Sequence, residues 1–96
     1  MTVDELRATL GEEEPPDGLG DGLLALWHEA KGDWARAHAV VQDLSSPEAA
    51  LVHAYLHRKE GDLANARHWY RRASANEATG ALDDEWRAIA AALLER

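Results

Sequence analysis

The sequence predicts an all-α fold of five to six helices in stacked antiparallel hairpins, and three observations carry that expectation. Leu26-Trp27-His28-Glu29-Ala30-Lys31-Gly32-Asp33-Trp34-Ala35-Arg36-Ala37 returns twenty-nine residues later as Tyr55-Leu56-His57-Arg58-Lys59-Glu60-Gly61-Asp62-Leu63-Ala64-Asn65-Ala66. An echo at a fixed period marks a helix-turn-helix unit that stacks on its neighbour to bury a shared core. Each copy is broken by Gly-Asp, where one helix must stop and another can start. The 46% apolar content is mostly Ala and Leu, with four Trp and no Phe, a composition that favours helix over strand.

Along the chain, Thr2 and Glu5 have capping-box spacing, and Val3, Leu6 and Leu10 share one helical face, so a short helix is expected over 1–11. It is too short to be stable alone. Residues 12–18 combine three glutamates with Pro15, Pro16, Asp17 and Gly18 and read as a solvated linker. Residues 19–96 then form the repeat domain. Leu19, Leu23, Leu26, Trp27 and Ala30 follow helical spacing up to Gly32, and Asp33 is placed to cap a second helix carrying Trp34, Ala37, Val40, Val41 and Leu44. Ser46 with Pro47 opens the next helix. Its apolar set is Ala50, Leu51, Ala54, Tyr55 and Leu56. After Gly61-Asp62 the set continues as Leu63, Ala66, Trp69, Tyr70 and Ala73, and Asn76 to Gly80 marks an exit. Leu82, Trp86, Ile89, Ala90 and Leu93 line a last helix behind Asp83, Asp84 and Glu85, which complement its N-terminal dipole. That helix is expected to cap the end of the stack, with Glu95 and Arg96 facing water.

Composition narrows the functional classes. There is no Cys, so disulfides, thiolate metal sites and cysteine nucleophiles are absent. The formal charge of −8 opposes nucleic-acid binding, and the excess sits in residues 1–48, with eleven acidic and three basic side chains. The first residues lack the basic start and apolar core of a secretory signal, and no run approaches a membrane span, so a cytoplasmic protein without membrane association is expected.

At the Gly-Asp turns both units resemble tetratricopeptide repeats. In the second unit Ala54, Gly61, Asp62, Ala66, Tyr70 and Ala73 stand at the pattern's positions; in the first, Ala25, Gly32, Asp33 and Ala37 do, with Val41 in place of the aromatic. The period of twenty-nine is shorter than the family's thirty-four or so, which a contracted loop at Leu44 to Pro47 explains. His28 and His57 occupy positions usually aromatic. Residues 52–73 also resemble segments of small bacterial helical-repeat proteins. The resemblance implies a short solenoid acting in protein–protein interaction, whose first helices line a concave surface. Carried over position by position, that surface comprises Leu26, Glu29, Leu51, Tyr55, Arg58 and Lys59. Tyr55 offers a rigid contact and Arg58 with Lys59 offer donors to carboxylates, so a partner protein or an acidic peptide is the expected ligand. The plainer alternative packs Tyr55 on a neighbouring helix.

Other chemistry has less support. His53 and His57, four apart on one helix, could present two imidazoles to a metal ion with His28 as a third, but such positions more often hold histidines buried between helices on a carbonyl or carboxylate. No metal or other cofactor is expected. Arg67-His68-Trp69-Tyr70-Arg71-Arg72 has a composition suited to single-stranded nucleic acid, yet helical spacing sends Trp69 and Tyr70 inward and leaves the arginines as a solvated face. No Ser-His-Asp or phosphate-loop pattern occurs, so the chain is not expected to be an enzyme. Self-association into a homodimer is the main alternative, because two repeats bury less core than the three or more usual for a solenoid. The acidic first half could meet the basic stretch from Arg58 to Arg72 between subunits.

Overall fold

The computed structural model describes residues 1–95, and among them the only regular secondary structure is helical. Six α-helices follow one another: α1 (Val3–Ala8), α2 (Asp21–Ala30), α3 (Trp34–Val41), α4 (Pro47–Glu60), α5 (Leu63–Arg72) and α6 (Leu82–Leu94), with a 3-10 turn at Thr9–Gly11 after α1. Arg96 lies outside the described residues. No helix of the described residues is long and apolar enough to cross a membrane.

Local capping accounts for most of the boundaries. Thr2 Oγ1 accepts from the Glu5 amide while the Glu5 carboxylate accepts from the Thr2 amide, and Asp33, Ser46 and Asp62 each accept an amide three residues on. Such a cap typically contributes about 1 kcal/mol. Gly32 and Gly61 adopt φ of 88° and 89°, the left-handed geometry that closes a helix and that a β-carbon disfavours. The Gly-Asp echo is therefore the place where one helix hands over to the next.

Packing pairs α2 with α3 and α4 with α5, each pair a hairpin joined by a short turn, and the two hairpins meet through α2, α3 and α4. Leu26, Trp27, Val41, Val52 and Leu56 are fully buried between them. Tyr70, Ala66 and Ala54 form a smaller apolar cluster inside the second hairpin. Leu63, expected with them, is 54% exposed; it begins α5 at the lip of a cleft shared with Arg58, Arg67 and Tyr70.

The last helix departs from expectation. Instead of capping the end of the stack, α6 lies across the first helices of both hairpins, packing on α2 and α4 and also on α1. Trp86, Ile89 and Ala90 are buried there. A β-carbon on Gly22 would stand 2.8 Å from Leu93 Cδ1 and 3.5 Å from Val52 Cγ2, so the missing side chain lets α2 and α6 approach closely. Ion pairs Arg7–Asp83 (2.7 Å) and Arg87–Asp4 (3.1 Å) tie α1 to the outer edge of α6. The turn that leads into the acidic linker is held too: Lys31 Nζ donates to the carbonyls of Leu10 and Glu12, and Trp27 Nε1 donates to Thr9 Oγ1.

Candidate functional site

The residues expected to receive a partner lie on α2 and α4, and α6 of the same chain packs on these two helices. Leu26 is fully buried and its carbonyl accepts from Trp86 Nε1 at 3.0 Å. Glu29 and Tyr55 are 3% and 2% exposed. Tyr55 Oη donates to Glu29 Oε2 at 3.3 Å, and Lys59 Nζ donates to Glu29 Oε1. Arg58 Nη1 reaches Glu85 Oε1 at 2.9 Å and Nη2 donates to the Gly80 carbonyl. The other Glu85 oxygen accepts from Tyr70 Oη. Leu51 is half-buried against both apolar clusters.

The electrostatics of this face follow from burial. Both phenols are pushed well above the ordinary tyrosine value, chiefly by loss of water and then by the neighbouring carboxylates, Glu29 for Tyr55 and Glu85 for Tyr70. They stay protonated and serve as donors to the acids. Part of the face remains open: Glu29, Tyr55 and Lys59 line a cleft of about 340 Å³ with Arg7, Asp83 and Trp86. Sequence reasoning missed Glu85 and Trp86 as members of this site. Asp83-Asp84-Glu85 read as a dipole complement, and nothing local distinguishes an acid that faces water from one that faces Arg58.

The basic stretch meets acids within the chain. Besides Arg58 and Lys59, Arg67 pairs with Glu77 at 3.1 Å, and the Arg72 guanidinium lies over the Trp69 ring, 5.1 Å from its centroid.

A second cluster joins the two hairpins. His38 of α3 stacks on Trp34 with centroids 4.9 Å apart, and His53 of α4 stacks on Trp69 at 3.9 Å. The two Nε2 atoms stand 3.0 Å apart. His57 stacks on His53 at 4.8 Å and its Nδ1 meets Glu60 Oε1 at 2.6 Å. The carboxylate partner expected for a buried histidine is thus found at His57, whereas His53 bonds another imidazole and its Nδ1 is buried without a partner. His28 does not join them. It packs edge-on against Trp27 in the other hairpin, because positions equivalent by the repeat lie a helix-packing distance of about 8–10 Å or more apart. His38 takes the third place, and its signal in the sequence was the i, i+4 spacing from Trp34.

His53 is held down to about 4 by burial and then by its histidine neighbours His57, His38 and His68; His38 is lowered by burial and His57, with Glu60 opposing, and His28 by burial and Arg36. An unfolded histidine titrates near 6.5, so the unfolded chain takes up the proton first as pH falls. Stability is therefore complete above about pH 6.5 and declines toward about pH 4, by up to about 1.4 kcal/mol per pH unit from His53 alone. Urea unfolding in chelator at pH 7.5, 6 and 5 measures this; equal midpoints at all three would contradict it.

A wider groove lies elsewhere, at the end where α2 and α4 begin. It measures about 810 Å³ and is lined by Leu19, Leu23, Leu44, Ala49, Leu93 and Leu94 among others. Comparison with protein families, curated proteins and solved structures finds no match to this chain.

Proposed function

We propose that this chain is a protein-interaction module of tetratricopeptide-like hairpins that holds a short acidic amphipathic helix on the α2–α4 face, and that α6 is the resident occupant in this conformation. A cytoplasmic location goes with this reading. The observation that carries it is the chemistry of α6. The face was expected to take an acidic segment, and α6 offers one: Glu85 on Arg58 and Tyr70, Trp86 seated on the Leu26 carbonyl, and Asp83 on Arg7. A partner helix of the same pattern, an acid followed by tryptophan with apolar residues three and seven positions further, would make the same contacts when α6 is displaced.

A tethered occupant competes at an effective concentration on the order of millimolar, so a free peptide binds the intact chain weakly. A fluorescein-labelled peptide of residues 81–95 is accordingly expected to bind the full chain carrying Trp86→Ala at least about tenfold more tightly than the unaltered chain. Binding should be lost when Arg58→Glu is added. Absence of anisotropy change with either chain, once circular dichroism shows both helical, would sink the reading.

One observation favours a second reading, the homodimer. Residues 73–81 join α5 to α6 without helix, and exchange of α6 between copies would reproduce the same contacts across chains. Light scattering distinguishes the two: a monomer at every concentration excludes the exchanged dimer.

A further inference from the structure

We propose that His38, His53 and His57 form a site for a divalent transition metal, Zn2+ by ligand class, that staples the α2–α3 hairpin to the α4–α5 hairpin. One ring nitrogen from each of the three lies within 4.8 Å of the others. Ligands about 2.0–2.1 Å from a tetrahedral ion sit roughly 3.3 Å apart, close to the 3.0 Å between the His38 and His53 Nε2 atoms. His57, with a ring nitrogen within 4.8 Å of the ligand atoms of the other two, completes the set.

The surroundings suit a cation better than they suit three free imidazoles. Between His38 and His53 two imidazole nitrogens face each other across a single proton, a place that an ion bound by both lone pairs would take. Glu60 on His57 Nδ1 is the carboxylate–histidine arrangement that orients metal ligands and raises their basicity. Trp34 and Trp69 clamp the other two rings by stacking. An all-imidazole donor set without thiolate selects among Zn2+, Ni2+, Cu2+ and Co2+ rather than Mg2+ or Ca2+. His38 is only half-buried, so water can supply the fourth ligand. Because His38 comes from α3 and the other two from α4, the ion would fix how the hairpins sit on each other.

The test uses the full chain stripped with chelator. Calorimetric titration with Zn2+ should give saturable binding at one ion per chain, and Co2+ should develop the visible bands of a tetrahedral nitrogen site. His38→Ala should weaken Zn2+ binding at least about tenfold, Glu60→Gln by about tenfold, and His68→Ala, on the exposed side of α5, not at all. Should His38→Ala fail to fold, histidine ring nitrogen shifts in the unaltered chain answer the same question: Zn2+ must move His38, His53 and His57 and leave His28 and His68 in place. No one-to-one binding, unchanged affinity in a folded His38→Ala, or shifts centred on His28 or His68 would each overturn the site.

Discussion

Trp86→Ala is expected to cost about 3–5 kcal/mol, the loss usual for a buried tryptophan. The ring is 2% exposed, its Nε1 donates to the Leu26 carbonyl at 3.0 Å, and the Arg7 guanidinium lies 5.0 Å from its centroid. Truncation removes all three contacts and opens a cavity between α2, α4 and α6. A chain of this size has a total stability of about 5–15 kcal/mol, so the loss takes a large share. Urea unfolding measures it. If α6 releases before the full cost is reached, the fall stops at the free energy that holds α6 down, and α6 amides lose protection while α4 amides keep it. Trp86→Phe should cost less, because most of the apolar burial survives and chiefly one hydrogen bond is lost. A Trp86→Ala chain within 1 kcal/mol or so of the unaltered one would contradict the packing described.

Glu85→Ala has the second large effect, again about 3–5 kcal/mol, for a different physical reason. The Glu85 and Arg58 side chains are 7% and 14% exposed. Removing the carboxylate leaves the guanidinium without its counter-charge, held only by the neutral Gly80 carbonyl, and takes the carboxylate acceptor from the Tyr70 hydroxyl; an unpaired buried charge is far more costly than the pair was beneficial. Arg67–Glu77 supplies the comparison. Its side chains are 51% and 55% exposed, so Glu77→Ala should change stability by less than about 0.5 kcal/mol. Equal effects of the two substitutions in thermal unfolding would show that burial of the Glu85 pair does not matter.

What the sequence disclosed and what it hid divide along the range of the interactions. Thr2, Asp33, Ser46 and Asp62 cap helices through atoms three residues away, and Gly61 closes α4 through its own backbone, so these boundaries follow from a few adjacent letters. The apolar face of α6 was equally legible, since Trp86, Ile89 and Ala90 recur at helical spacing. Its destination was not. The same stripe would suit the end of the stack or the α2–α4 face, and contacts distant in sequence place it, Glu85 with Arg58 twenty-seven residues away and Trp86 with the Leu26 carbonyl sixty away. Arg58 and Lys59 show the corresponding limit at the site: composition reveals donors that need carboxylates, but not that Glu85 and Glu29 of the same chain meet them. His38 was passed over because the apolar pattern of α3 runs through Trp34, Ala37, Val40 and Val41, although Trp34 stands one turn before it.

Native-state hydrogen exchange of the unaltered chain tests most directly whether α6 is a replaceable occupant of the α2–α4 face. Amides of α6 should exchange through an opening that costs less than the one that exposes α4, by at least about 1.4 kcal/mol, a tenfold difference in the population of the open state. Exchange of α6 and α4 at one common free energy, with no separate opening of the last helix, would mean that α6 is an inseparable part of the core and that the face it covers is not offered to a partner.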